Sequence, residues 1–209
     1  MAYEAARALL LWGAPDALER LRAPGLSRVL GTRAADLVVM GGEARDLEVL
    51  ERIGHESGLD ARLVRAVGRF GHPLTWSLLL HALVEPELAE AALDALVGMF
   101  GAIVPAPQAR VPAAWREAIA ELGLSEDVRA LNGAPWTVAA AVAELAEERC
   151  SALELAARLD ELRARTGAAL VVELAAPMRR VREALGLARA ELARAAPIAA
   201  GRWSARRRR

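Results

Sequence analysis

Only one cysteine, Cys150, occurs in the 209 residues, which excludes an internal disulfide framework and fits a reducing compartment. Aromatic residues make up 4% of the chain, and the β-branched and aromatic runs that mark strands are nearly absent. Lysine is missing altogether, so the 27 basic residues are all arginine, balanced by 27 Asp and Glu. With zero net charge, no global field draws the chain toward nucleic acid or anionic lipid. No apolar run approaches the roughly 18 residues needed to span a bilayer. The N-terminus has no basic region leading into an apolar stretch and a small-residue cleavage site. Together these absences predict a cytoplasmic protein that neither spans nor coats a membrane.

What the chain has is alanine, leucine, glutamate and arginine, within a hydrophobic share of 55%. These residues lose little side-chain freedom in a helix, and the expected class is all-α. A shift of 29 residues then superimposes Gly13, Gly42 and Gly71, and likewise Leu18, Leu47 and Trp76. The same step matches Leu21, Leu50 and Leu79; Leu30, Leu59 and Leu88; Ala34, Leu63 and Ala92; and Val38, Val67 and Leu96. Spacings within each copy are helical: Leu59, Leu63, Ala66 and Val67 form one stripe.

Each copy reads as two helices of about ten residues joined by a short turn. Pro24-Gly25, Gly54, Gly58 and Pro86 are placed at the turns within copies. A single hairpin cannot bury its stripe, whereas stacked neighbours share a core. The expected architecture is a short HEAT-like α-solenoid over residues 1–101, with copies at about 13–41, 42–70 and 71–101; an irregular helical bundle is the alternative. A proline-punctuated connector at 102–112 leads to a C-terminal helical region at 113–196, read as a cap over the open end, and to a basic tail at 197–209. In that region helices are expected over 113–122, briefly after Ser125, from Pro135 to Cys150, from a Ser151/Glu154 capping box to about Arg165, and from Pro177 onward.

The stretch Gly71-His72-Pro73-Leu74-Thr75-Trp76, running through Leu88 to Leu96 and Phe100-Gly101, resembles the short repeats of a bacterial HEAT-like family encoded near type VI secretion gene clusters. Arg129-Ala130-Leu131-Asn132-Gly133-Ala134-Pro135 and Ala152-Leu153-Glu154-Leu155-Ala156 are similar to the C-terminal region of that family. The resemblance spans roughly residues 13 to 186 and implies an accessory role in secretion.

No residue pattern here specifies catalysis, a cofactor or a metal. His55, His72 and His81 are not at metal-ligand spacing, Cys150 has no designated histidine, and Gly41-Gly42 is no phosphate loop. The carboxylate pairs Glu147-Glu148 and Glu85/Glu87 read as solvated faces. Trp12, Trp76, Trp115 and Trp136 read as core anchors, with Trp76 mostly buried. Two features remain. On the second helices, the non-core positions Arg33, Arg62 and Ala91, then Asp36, Arg65 and Asp94, recur at the repeat step. The latter three alternate in sign, which predicts an ion-pair ladder along the concave face with Arg33 and Arg62 left for a partner. The tail Arg202-Trp203 to Arg209 is the second feature, read as solubilising. The expected function is a non-enzymatic scaffold or adaptor that binds a protein through Arg33, Arg62, Arg65, Asp36 and Asp94. Nucleic-acid binding through the tail, disfavoured by the balanced charge, and a helical-repeat enzyme with an unrecognised pocket are the alternatives.

Overall fold

A computed structural model describes residues 2–14, 16–126, 128–145, 152–168, 170, 172–173 and 178–194. The elements in chain order are α1 (Ala2–Trp12), α2 (Ala17–Arg22), α3 (Pro24–Leu30), α4 (Arg33–Gly41), α5 (Leu47–Ser57), α6 (Ala61–Phe70), α7 (Trp76–Val84), α8 (Ala89–Phe100) and α9 (Pro112–Leu122). There follow β1 (Ala130–Leu131), β2 (Ala134–Pro135), α10 (Val138–Glu144), α11 (Ala152–Thr166) and α12 (Met178–Arg194). Among the described residues the chain is all-α apart from the two-residue strands of one antiparallel pair. Among the described residues no helix is long and apolar enough to cross a membrane.

In the leucine, valine and alanine columns matched above, positions 29 residues apart share one degree of burial. Leu21, Leu50 and Leu79 are buried, as are Ala34, Leu63 and Ala92, and Val38, Val67 and Leu96. Leu18, Leu47 and Trp76 are all half-buried, and so are Leu30, Leu59 and Leu88. Trp76 is therefore not the buried anchor its size suggested: its column lies at the margin of the core, against which it packs on one side. α4 packs on α6 and α6 on α8. The second contact is close enough that a Cβ at Gly68 would come within 2.4 Å of the Ala95 Cβ.

The first copy differs from expectation at its turn. Pro24 opens α3 at its N-terminus, so α2 and α3 together occupy the place of α5 and are interrupted where Ile53 sits in the second copy. A proline lacks the N–H that continuity would require. The turn falls instead at Gly31–Thr32, with Gly31 at φ 56°. Gly54 lies inside α5, and Gly58, at φ 82°, ends that helix.

The second half divides its work. α9 packs on α7 and buries Trp115, whose Nε1 donates to the Ala109 carbonyl at 2.8 Å. Ser125 starts a turn, closed by Val128 N–H to its carbonyl at 3.2 Å, rather than a helix. Pro135 belongs to β2, and the next helix begins only at Val138, capped by Thr137, whose hydroxyl accepts from Ala140 N–H. The cause is Asn132-Gly133, both at positive φ (50° and 74°), the pair that suits the tight two-residue hairpin turn. α11 runs back to pack on α4 and α1, so this half does not simply cover the far end. α12 buries Val181, Ala188 and Leu192 in a separate cluster with Trp136, Leu159 and Leu170. Cys150, Ser151, Pro177, Glu147-Glu148 and the arginine-rich tail lie outside the described residues.

Three successive second helices end on groups from this returning half. The last carbonyls of a helix lack intrahelical donors and carry partial negative charge. At α4, Arg165 donates to the carbonyls of Val39 and Gly42. At α6, Arg129 donates to those of Arg69 (2.9 Å) and Phe70 (3.2 Å), and Ala130 N–H to that of Gly71 (2.8 Å). At α8, Asn132 and Gly133 N–H donate to Gly98 and Met99 carbonyls at 2.9 and 3.0 Å. A Cβ on Gly71 or on Gly133 would lie 2.6 Å from a facing carbonyl oxygen, so both contacts need glycine.

Candidate functional site

Because α11 crosses the second helices instead of lying beyond them, it encloses their charged faces in a cleft of about 670 Å³. One wall is α4, α6 and α8; the other is α11 with α1, Trp136 and Glu144. All five residues expected to face a partner line it: Arg33, Asp36, Arg62, Arg65 and Asp94. Their helical positions place them there, since the stripes Ala34/Val38, Leu63/Val67 and Ala92/Leu96 occupy the core side of the same helices. Ala91, read as the third member of the Arg33 column, is instead buried.

The ion-pair ladder forms in part. Arg65 reaches Asp94 at 4.0 Å, the outer limit for such a pair. Asp36 does not meet Arg65; it pairs with Arg62 at 3.6 Å and accepts from Arg69. Arg62 is thus engaged rather than free. Arg33 makes no ion pair among the described residues, but its guanidinium lies 4.5 Å from the Tyr3 ring centre. Burial, followed by the charge of Asp36, holds the Tyr3 hydroxyl above its ordinary pKa, so it stays neutral in the cleft. Asp94 is also raised, first by burial; Arg65 opposes this, while the carboxylates of Glu90 and Glu154 add to it.

The base of the cleft holds a buried triad that sequence reasoning did not single out. One carboxylate oxygen of Glu161 accepts from Arg129 and, at 2.9 Å, from Arg165. Both arginines are nearly inaccessible, and Arg129 also stacks 4.6 Å from the Trp136 ring centre. Burial alone would raise the Glu161 pKa, but the two guanidinium charges and their hydrogen bonds outweigh it and hold the group below the usual carboxylate range. Burial, reinforced by Arg129 and opposed by Glu161, pushes Arg165 down to about 10, so it remains charged at neutral pH. Near the rim, Arg7 on α1 pairs with Asp160 on α11 at 2.6 Å, tying the N-terminal helix over the cleft. Trp136 and Trp115 are core residues as expected, while Trp12 is 81% exposed.

Among the described residues the cleft wall carries seven arginines and seven carboxylates, a balance that suits neither a polyanion nor a polycation. Among the described residues no group of three or more His, Cys, Asp or Glu is placed to hold a metal ion. His72 is buried in the turn before α7, where Nδ1 accepts from Leu74 N–H at 3.3 Å, and His55 and His81 are exposed on helix ends. One cue to the hairpin was available in the Asn132-Gly133 dipeptide. The triad left no comparable cue, because Glu161 and Arg165 have the i, i+4 spacing of an ordinary solvated helix pair. Set against family models, curated proteins and solved structures, the chain matches none of them.

Proposed function

We propose that the chain is a non-enzymatic protein-interaction module, a short HEAT-like α-solenoid that holds a segment of another protein in the cleft along its second helices. The supporting observation is that Arg33, Asp36, Arg62, Arg65 and Asp94, related by the repeat step, line one wall of one cleft. Repeat architectures commonly bind partners along such faces. Accessory work in type VI secretion is the specific version suggested by the sequence resemblance.

Capture of partners from a lysate of the source organism by the wild-type chain and by the Arg33→Glu/Arg62→Glu double variant tests this reading. Both arginines are exposed, and exposed substitutions usually shift stability by only about 0.5 kcal/mol, so the variant should fold. A captured protein should be lost or weakened about tenfold or more with the variant, as expected for reversed charges in an interface. Unchanged capture of every partner would remove the cleft from the interaction.

A further inference from the structure

We infer that the occupant of this cleft is an extended peptide segment of mixed charge, its acidic side chain against Arg33 and Arg62 and its basic side chain against Asp94. The inference rests on the protein-interaction reading and names the chemistry of the segment bound.

Among the described residues the cleft is balanced in charge, yet its two ends differ. At the α4 end Arg33 has no carboxylate partner among the described residues, and its guanidinium is held against the Tyr3 ring. A guanidinium supported on an aromatic face keeps N–H donors at its edge, the geometry that receives a carboxylate in two parallel hydrogen bonds. Its neighbour Arg62 shares the single carboxylate of Asp36 with Arg69, which leaves a surplus of positive charge there. At the α8 end the loosely held group is a carboxylate. Asp94 is 64% exposed and has Arg65 only at 4.0 Å, the outer limit for an ion pair. A basic side chain entering there would give the Asp94 carboxylate a closer partner than Arg65 supplies.

The distance between the two ends selects a peptide over a single amino acid. α4 and α6 pack together, as do α6 and α8; packed helices lie 8–10 Å apart, so the ends are separated by about 16–20 Å. Extended chain covers that distance in about five residues. The volume, about 670 Å³, lies within the range of roughly 300–1,000 Å³ typical of ligand sites.

The experiment is fluorescence anisotropy with the full chain and four labelled, end-blocked peptides. They carry Glu and Arg separated by four Ser/Gly residues, Glu and Arg adjacent, Glu at both ends of the spacer, and Arg at both ends. The spaced mixed peptide should bind about tenfold or more tightly than the others, the discrimination expected when like charges are juxtaposed at one end. Arg33→Glu should abolish that preference and favour the doubly basic peptide, while Asp94→Arg should favour the doubly acidic one; both variants are checked by thermal melting. Equal binding of all four peptides, binding of none, or an unchanged ranking in Arg33→Glu would overturn the inference. Partner capture that still depends on Arg33 and Arg62 in that event would show that this inference alone had failed and the interaction reading had not.

Discussion

At Glu161 one carboxylate oxygen accepts from two buried guanidinium groups, each of which also donates to the end of a second helix. Losing that charge would strand two buried cations without compensation. Glu161→Gln should therefore cost about 3–5 kcal/mol at neutral pH, as other broken buried pairs do. The pH dependence follows from the direction of the shift. The folded pKa of Glu161 lies below the unfolded value, so its contribution is fully present above the ordinary carboxylate range and is lost as pH falls through the lowered folded value. Thermal melts of both proteins across acid pH should show the gap between them narrowing as the wild-type carboxylate protonates; a gap independent of pH would mean that the charge is not what matters. The tryptophans show how residue type misleads at this scale. Trp115 and Trp136 are buried, Trp76 is half-buried and Trp12 exposed, although all four offered the same large apolar surface. Burial follows the position of a residue in the repeat, and Trp76 follows Leu18 and Leu47.

For the helices as elements, glycine separates local preference from packing. In an isolated helix interior, Gly→Ala is stabilising by up to about 1 kcal/mol, because glycine loses more backbone freedom on folding. Gly186 on α12 has open space where its Cβ would stand, and Gly186→Ala should raise stability by an amount of that order. Gly68 on α6 faces Ala95 of α8 so closely that an added Cβ must push the two helices apart. There the sign should reverse, with a loss of about 1–3 kcal/mol as in overpacked cores. Chemical denaturation of the two variants checks the pair, and a stabilising Gly68→Ala would contradict the close α6–α8 contact. The elements themselves were largely legible from the chain. α5 to α9, α11 and α12 follow apolar periodicity that any reader of the sequence can lay out. The interruptions are less legible, since Pro24 can either end a helix or open one, and Pro135 can open a helix or, as the Asn132-Gly133 turn before it dictates, pair in a strand.

Across the whole molecule, the main core draws on α4 to α9, whereas α1 buries only Leu10 among its described residues. Native-state hydrogen exchange should therefore find the slowest amides in α6 and α8, exchanging only on global unfolding, with α1 and α12 opening earlier. Equal protection throughout would indicate one cooperative unit with no such gradient. The link between the halves is long in sequence: Arg165 reaches Gly42 and Val39 over 123 and 126 residues. Such contacts must offset the entropy of closing a long loop, and the buried triad supplies charge-assisted hydrogen bonds at that junction.

Periodicity and helix propensity act within a few turns of chain, so the sequence by itself determined the all-α class, the 29-residue register of the apolar columns and the shared face of Arg33, Asp36, Arg62, Arg65 and Asp94. The tertiary structure decided what stands opposite that face. Glu161 and Arg165 have the same spacing whether their helix faces water or lies across α4, and only the return of α11 turns an ordinary surface pattern into a buried triad. That return also makes the charged face one wall of a cleft, because the donors for the helix ends and the opposing charges come from segments far away in the chain.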